Sequence, residues 1–403
     1  MHPLIHDWNQ QDAEPGPVAP VMLNDETLRD GLQSPSVRTP SIDDKIRILH
    51  LIDALGIETA DIGLPGAGAH VAADVARLAR EIVASGLRVR PNCAARTMVA
   101  DIRPIAEISQ KAGVAIECCT FIGSSPIRQY AEDWTLDHLR QLTEEAIGFA
   151  VREGLSVMYV TEDTTRADPE SLRQLYSTAV RAGAKRVCVS DTVGHATPEG
   201  ASAVTRFVRA VIDECGGDAG VDWHGHRDRD LAVVNSLAAM RAGATRLHGT
   251  AIGIGERVGN TPMDLLLVNL VLMGHRTADL TRLSEYCEVV SGACGVPIPL
   301  NYPVIGRDAF RTATGVHAAA VIKAMRKHEP DLVDAVYSAI PATLVGREQQ
   351  IDVGPMSGRS NVVYWLERRG LEATEERVDR ILVRAKASSS VLTEREILEV
   401  IDV

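Results

Sequence analysis

The chain has 403 residues and a mass of 43.4 kDa, with 45% apolar and 24% charged residues, which excludes a disordered or collagen-like chain. Forty-two basic against 54 acidic residues give a formal charge of −12, so nucleic acid and anionic membranes are disfavoured partners, while a local basic pocket for a small anion stays possible. No apolar run approaches the ~20 residues of a membrane-spanning helix, and the first 20 residues carry Asp7, Asp12 and Glu14 without a signal pattern; a cytoplasmic location is expected.

Residues 1–20 are polar and proline-rich and are expected to form an arm. From Val21 onward, short β-branched runs alternate with longer stretches of helical spacing. The predicted strands are Val21–Asn24, Thr59–Leu64, Leu87–Asn92, Val114–Phe121, Ser156–Val160, Arg186–Ser190, Gly220–His226 and Arg246–Ile252. Predicted helices between them include Ser41–Leu55, Ala69–Ser85, Leu136–Glu153, Pro169–Ala182, Pro198–Cys215 and Leu231–Ala242. Eight strand–helix units in about 250 residues fit a (β/α)8 TIM barrel. A doubly wound open sheet fits less well, because no G-x-G-x-x-G follows the first strand. Gly56, Gly154, Gly183 and Gly243 stand where helices should end in a left-handed turn.

The barrel is expected to occupy residues 21–278, and residues 279–403 a linker and small, mainly helical subdomains. A helix is expected over Leu280–Gly295, followed by an extended proline-rich linker, Val296–Pro303. The seven cysteines include no C-x-x-C pair, and reduced, mostly buried thiols are expected.

Unusual polar residues collect where the strands end, the face on which barrels of this kind carry reacting groups. Strand one runs into Asn24-Asp25-Glu26-Thr27-Leu28-Arg29-Asp30-Gly31-Leu32-Gln33, strand two into Asp61, strand five into Glu162-Asp163 and strand six into Asp191-Thr192. Strand seven ends in His224-Gly225-His226-Arg227-Asp228, and strand eight leads to the loop Gly253–Asn260. Residues two apart on a strand share a face, so His224 and His226 can reach one metal, with a carboxylate such as Asp25 completing a common divalent set. An arginine beside a metal, here Arg29, suits a keto acid whose oxygen gains charge.

At these residues the chain resembles the metal-dependent Claisen-condensing family of 2-isopropylmalate, homocitrate and citramalate synthases, which share a barrel with HMG-CoA lyase. The family's D-x-T-L-R-D-G-x-Q stands as Asp25–Gln33, its H-x-H-x-D as His224, His226 and Asp228, and its G-x-G-E-R-x-G-N as Gly253–Asn260. The resemblance covers about Val21 to Gly370. It implies Asp25, His224, His226 and Asn260 as ligands of a divalent ion (Mg2+, Mn2+ or Zn2+). It implies Arg29, Glu162, His317 and Tyr337 in catalysis, and Arg29, Asp30, Gln33, Asp61 and Thr192 around the substrate. Gly315-Val316-His317, Tyr337 and Ser357-Gly358-Arg359 resemble the synthases' C-terminal segments, which implies a homodimer whose His317 and Tyr337 reach the partner's barrel.

The implied reaction is that of an acyltransferase in amino-acid biosynthesis. Acetyl-CoA, as co-substrate, is condensed with a 2-oxo acid and the thioester is hydrolysed. 2-Isopropylmalate is the favoured product; homocitrate, citramalate, benzylmalate and phosphonomethylmalate are the alternatives. A retro-aldol HMG-CoA lyase is a further one, compatible with Leu32 but opposed by a loop that lacks the lyases' cysteine. Arg227, Asp230, Asp61 and Thr312-Ala313-Thr314 depart from the pattern. The leucine-responsive regulatory domain of isopropylmalate synthases has no counterpart in the sequence, so feedback control by that route is not expected.

Overall fold

The computed structural model describes residues 3–10 and 20–401. The expected arm therefore lies largely outside the described residues. The chain divides into two compact units: one runs to Asp279 and takes in Glu285–Pro297, the other holds Leu280–Ser284 and the chain from Ile298 onward.

The first unit is a closed barrel of eight parallel strands in sequential order. The strands are β1 (Met22–Asp25), β2 (Thr59–Asp61), β3 (Arg90–Arg96), β4 (Glu117–Gly123), β5 (Val157–Glu162), β6 (Arg186–Asp191), β7 (Gly220–Gly225) and β8 (Arg246–Gly249). β1 closes the ring by pairing with both β2 and β8. The TIM-barrel expectation is met, and each of the eight strands overlaps a predicted strand. β3 and β4 begin three residues later than predicted. At β3 the reason is that Arg88 and Val89 donate their N–H groups to the Asp53 carboxylate instead of to a neighbouring strand.

Helices α1 (Ile42–Ala54), α2 (Ala69–Ser85), α3 (Val99–Ala112), α4 (Pro126–Ala131), α5 (Leu136–Arg152), α6 (Pro169–Ala182), α7 (Pro198–Glu214), α8 (Ala232–Arg241) and α9 (Met263–Leu272) follow the strands. Side-chain oxygens of Ser41, Thr135, Asp168 and Thr197 cap α1, α5, α6 and α7, satisfying N–H groups that have no partner within the helix. The four glycines expected at helix ends all take left-handed angles. α3 is not among the predicted helices, and it carries Pro104 in its interior.

The barrel interior is partly ionic. Arg246 is buried between Asp222 (2.5 Å) and Glu117 (2.6 Å), and Asp222 also meets His248 at 2.8 Å. All seven cysteines are unpaired, and all but Cys215 are buried. No helix among the described residues is long and apolar enough to cross a membrane.

α10 (Leu283–Cys294) falls within the helix expected over Leu280–Gly295. The second unit contains α11 (Gly315–Met325), α12 (Pro330–Ala335), α13 (Arg359–Glu367), α14 (Glu375–Lys386) and α15 (Glu394–Ile401). It also holds a two-stranded parallel pair, β9 (Arg311–Thr312) with β10 (Gln350–Ile351), that the sequence does not suggest. Val362, Trp365, Leu366, Val378, Ile381 and Ile397 are among the residues of its core.

Candidate active site

The chain leaves β1 at Asp25 and turns back on itself. Gly31 donates its N–H to the Glu26 carbonyl at 3.0 Å, and Asp30–Leu32 form a single 3-10 turn. This turn decides which acid faces the histidines. The Asp30 Oδ2 atom lies 3.7 Å from His224 Nε2 and 3.9 Å from His226 Nε2, and the two Nε2 atoms are 3.1 Å apart. Asp30, His224 and His226 are buried and converge as donors fit to hold a metal ion.

Asn260 joins them, its amide nitrogen 2.5 Å from Asp30 Oδ2. The glycine loop makes that approach possible. A Cβ on Gly255 would lie 2.8 Å from Asn260 Oδ1, and one on Gly259 would fall 1.8 Å from the Gly253 carbonyl. Both glycines also have positive φ, so a larger residue at Gly255 would displace Asn260 and one at Gly259 would strike the loop's own backbone.

Two buried atoms in this group have no hydrogen-bond partner among the described residues, His226 Nδ1 and Asn260 Oδ1. A buried polar atom without a partner costs about 1–3 kcal/mol, so Asn260 Oδ1 suits an added ion; His226 meets the cluster through Nε2, and its Nδ1 is not served there. The donor set of imidazole nitrogens, carboxylate and amide oxygen fits Mg2+, Mn2+ or Zn2+.

The carboxylate placed at the histidines is thus that of Asp30, where Asp25 was expected. Asp25 accepts from the Thr27 N–H at 2.9 Å and from the Tyr286 hydroxyl of α10. Burial pushes its carboxyl up to about 6 despite those bonds. It reads as a buried structural acid rather than as one of the converging donors.

Arg29 is held on three sides: Nε to Asp61 at 2.7 Å, Nη1 to Asp30 at 2.7 Å, and Nη2 at a longer 3.4 Å from Glu26. Nη2 therefore has the most loosely held hydrogens for a substrate oxygen. Asp61 also accepts from the Gly63 N–H, and burial raises its carboxyl to about 6. Burial acts to raise Asp30 as well, but the charges of Arg29 and His224 outweigh it and hold Asp30 below the ordinary carboxylate range. Burial and the His224 charge push His226 down to about 4, which keeps it neutral, the form a ligand needs.

Arg29, Asp30, Gln33, Glu162, Thr192 and both histidines line one cavity of about 180 Å3 at the strand ends. Ala94, Phe121, Met158 and Val160 give it an apolar wall. Burial raises the Glu162 carboxyl, and Arg128 stands 3.9 Å away. Thr192 accepts the Asp163 N–H through its hydroxyl at 2.8 Å. His317 and Tyr337 belong to the second unit, where their exposed rings lie 4.3 Å apart.

Glu26 and His248 escape the sequence reading, although both line the cavity. Glu26 Oε2 meets His224 Nδ1 at 2.7 Å, and Oε1 meets His248 Nδ1 at 2.9 Å. The available signal is a charged residue in the position the motif leaves open, and a histidine within a short buried strand. Two departures also gain physical accounts. Asp230, where the family usually carries glycine, has φ +57, an angle that aspartate tolerates better than most residues. Arg227 pairs with it at 3.2 Å.

Residues 20–290 match the family model described as HMGL-like. A homocitrate synthase of Methanopyrus kandleri is 34% identical, over 91% of this chain and 87% of its own length. A probable 2-isopropylmalate synthase of the same organism is 32% identical, over 91% of this chain and 69% of its own. An HMG-CoA lyase structure from Bacillus subtilis aligns with a TM-score of 0.57 at 19% identity, over 69% of this chain and 95% of its own; at that identity the likeness speaks for the fold alone. With the motifs of strands one, seven and eight gathered at one barrel mouth and the family model spanning that barrel, the chain belongs to the HMGL-like family.

Proposed function

We propose that the chain is an acyltransferase that condenses acetyl-CoA with a 2-oxo acid, with 2-oxoisovalerate as acceptor and 2-isopropylmalate as product. The observation that carries this reading is the convergence of Asp30, His224, His226 and Asn260 beside Arg29 at the barrel mouth. The synthase names of the relatives support the same chemistry. The apolar wall of Phe121, Met158 and Val160 suits a branched alkyl chain. The cavity's two arginines are Arg29, needed at the keto acid, and Arg257, held by Asp228 at 2.7 Å. Neither is free to pair with a second carboxylate, which disfavours 2-oxoglutarate and hence homocitrate.

Asp30, His224, His226 and Asn260 would hold the divalent ion. When bound, that ion supplies Lewis-acid polarisation of the keto group. Arg29 orients the acid's carboxylate and offers Nη2 hydrogens to the oxygen that gains charge as the new C–C bond forms. Burial holds Glu162 in a more readily protonated form than an exposed glutamate, so it can keep a proton at the cavity wall. Asp61 fixes Arg29 by its Nε contact. His317, stacked on Tyr337, would accept the proton leaving the acetyl methyl group in a homodimer that brings both rings to the partner's barrel. Hydrolysis of the thioester then releases free coenzyme A and makes the condensation irreversible. A cytoplasmic, biosynthetic role follows from that substrate pair.

The test is thiol release from acetyl-CoA with Mg2+ or Mn2+ across 2-oxoisovalerate, pyruvate, 2-oxoglutarate, oxaloacetate, phenylpyruvate and phosphonopyruvate. Release with 2-oxoisovalerate foremost is the expected result. Release with another acid would keep the synthase and replace its acceptor. Silence with all six, together with cleavage of a hydroxyacyl-CoA thioester, would replace the synthase with a lyase.

A further inference from the structure

Two buried donor groups at the barrel mouth share His224: Asp30–His224–His226 on one side and Glu26–His224–His248 on the other. They are not equivalent, and the hydrogen-bond pattern says why.

His248 faces a carboxylate at each ring nitrogen, Glu26 at 2.9 Å from Nδ1 and Asp222 at 2.8 Å from Nε2. A ring so placed donates from both nitrogens and keeps no lone pair for an ion. Glu26 is then an acceptor at both oxygens, one toward His248 and one toward His224 Nδ1 at 2.7 Å. An ionised carboxylate has no hydrogen to give, so the hydrogen in the Glu26–His224 contact sits on His224 Nδ1. In neutral His224 the lone pair is therefore on Nε2, the atom turned toward His226 and Asp30.

We propose that Glu26 is a positioning residue that fixes the His224 tautomer, with its second oxygen held by His248, and so directs a divalent ion to the Asp30–His226 side. This rests on the metal site proposed above. It extends that reading to a residue in the open position of the D-x-T-L-R-D-G-x-Q motif, one that does not itself ligate. A ligating imidazole steadied by an outer carboxylate is a general device of metal sites, and losing the outer partner typically costs ~10–100-fold in affinity.

Glu26→Gln keeps the shape and removes the symmetry. The amide oxygen can still accept from His248, which leaves the amide NH2 facing His224 Nδ1. The amide then donates, and the His224 hydrogen moves to Nε2, the atom the ion needs.

The experiment is long-range 1H–15N correlation NMR on histidine-labelled, metal-free protein in mildly alkaline solution, where an ordinary imidazole is neutral. His224 is assigned by the cross-peaks lost in His224→Ala. Wild type should show His224 as the Nδ1–H tautomer and Glu26→Gln as the Nε2–H tautomer. Calorimetric titration with Mn2+ or Zn2+ should show ~10–100-fold weaker binding to Glu26→Gln. An Nε2–H tautomer in wild type overturns the proposal, and that measurement needs no variant. An unchanged tautomer and affinity in a folded Glu26→Gln protein overturns it too. A wild type that binds neither ion overturns the metal reading instead, and the tautomer still decides what Glu26 does.

Discussion

His224 and His226 turn their Nε2 atoms toward one another at 3.1 Å. With Asp30 Oδ2 within 3.9 Å of both ring nitrogens, the three side chains form a group that could hold one metal ion. His226 Nδ1 has no partner among the described residues that would fix its ring.

The choice between the two aspartates of the first motif is directly testable. Asp30→Asn should weaken Mn2+ or Zn2+ binding by more than the ~10–100-fold typical of an outer-shell partner. Asp25→Asn should leave metal affinity within a few-fold, because Asp25 serves Tyr286 and Thr27. Titration calorimetry on both variants checks this. The reverse ranking would return Asp25 to the ligand set.

Arg29→Lys should retain the positive charge and lose the fork that meets Asp61 and Asp30 at once. An ammonium cannot keep both contacts and still offer a hydrogen to the substrate. A fall in turnover of ~10²–10³ is expected, the scale of losing one donor to a developing oxyanion. Steady-state kinetics with the preferred 2-oxo acid measure it. A change confined to KM would mean that Arg29 binds the ground state and the transition state equally and does not stabilise the developing charge.

The barrel is legible in the sequence because short β-branched or apolar segments recur between helices that keep a 3.6-residue period, several of them with glycine at their ends. α3 is not, since Pro104 at an interior position reads as a helix breaker in isolation. The site is legible in its histidines, because alternation on β7 puts His224 and His226 on one face. It is not legible in its carboxylate. Asp25 and Asp30 lie in the same motif, and only the tight turn closed by Gly31 N–H on the Glu26 carbonyl determines which of them points back. Tyr286, 261 residues from Asp25 in sequence, holds Asp25 through a contact that no local pattern encodes.

His248 should leave a mark on stability against pH in the metal-free protein. Burial lowers its affinity for a proton, but the Glu26 charge and the bond to Asp222 outweigh that and raise it to about 9 from an ordinary 6.5. The folded state therefore holds a proton that the unfolded chain releases between those values. This contribution is fully present below about pH 6.5 and is lost as pH rises through about 9, with a ceiling of about 3 kcal/mol. Denaturant unfolding in chelator should show stability falling over that window in wild type. His248→Gln should flatten that limb. Equal slopes in the two proteins would mean that His248 does not hold the proton.

His317 and Tyr337 stack at 4.3 Å with both rings exposed, an arrangement that gives a single chain little reason to keep them together. If each pair serves the barrel of a second subunit, a His224→Ala chain and a His317→Ala chain each lack a different half of the same site. Each homodimer should then be nearly inactive. Random exchange makes half of the dimers mixed, and each mixed dimer restores one intact site of its two. About a quarter of wild-type activity should therefore return on mixing, as expected for a two-fold assembly with shared sites. Thiol release after co-incubation reads the recovery, and labelled subunits establish that exchange took place. Exchange without recovered activity would overturn the shared site and mean that each chain is self-sufficient.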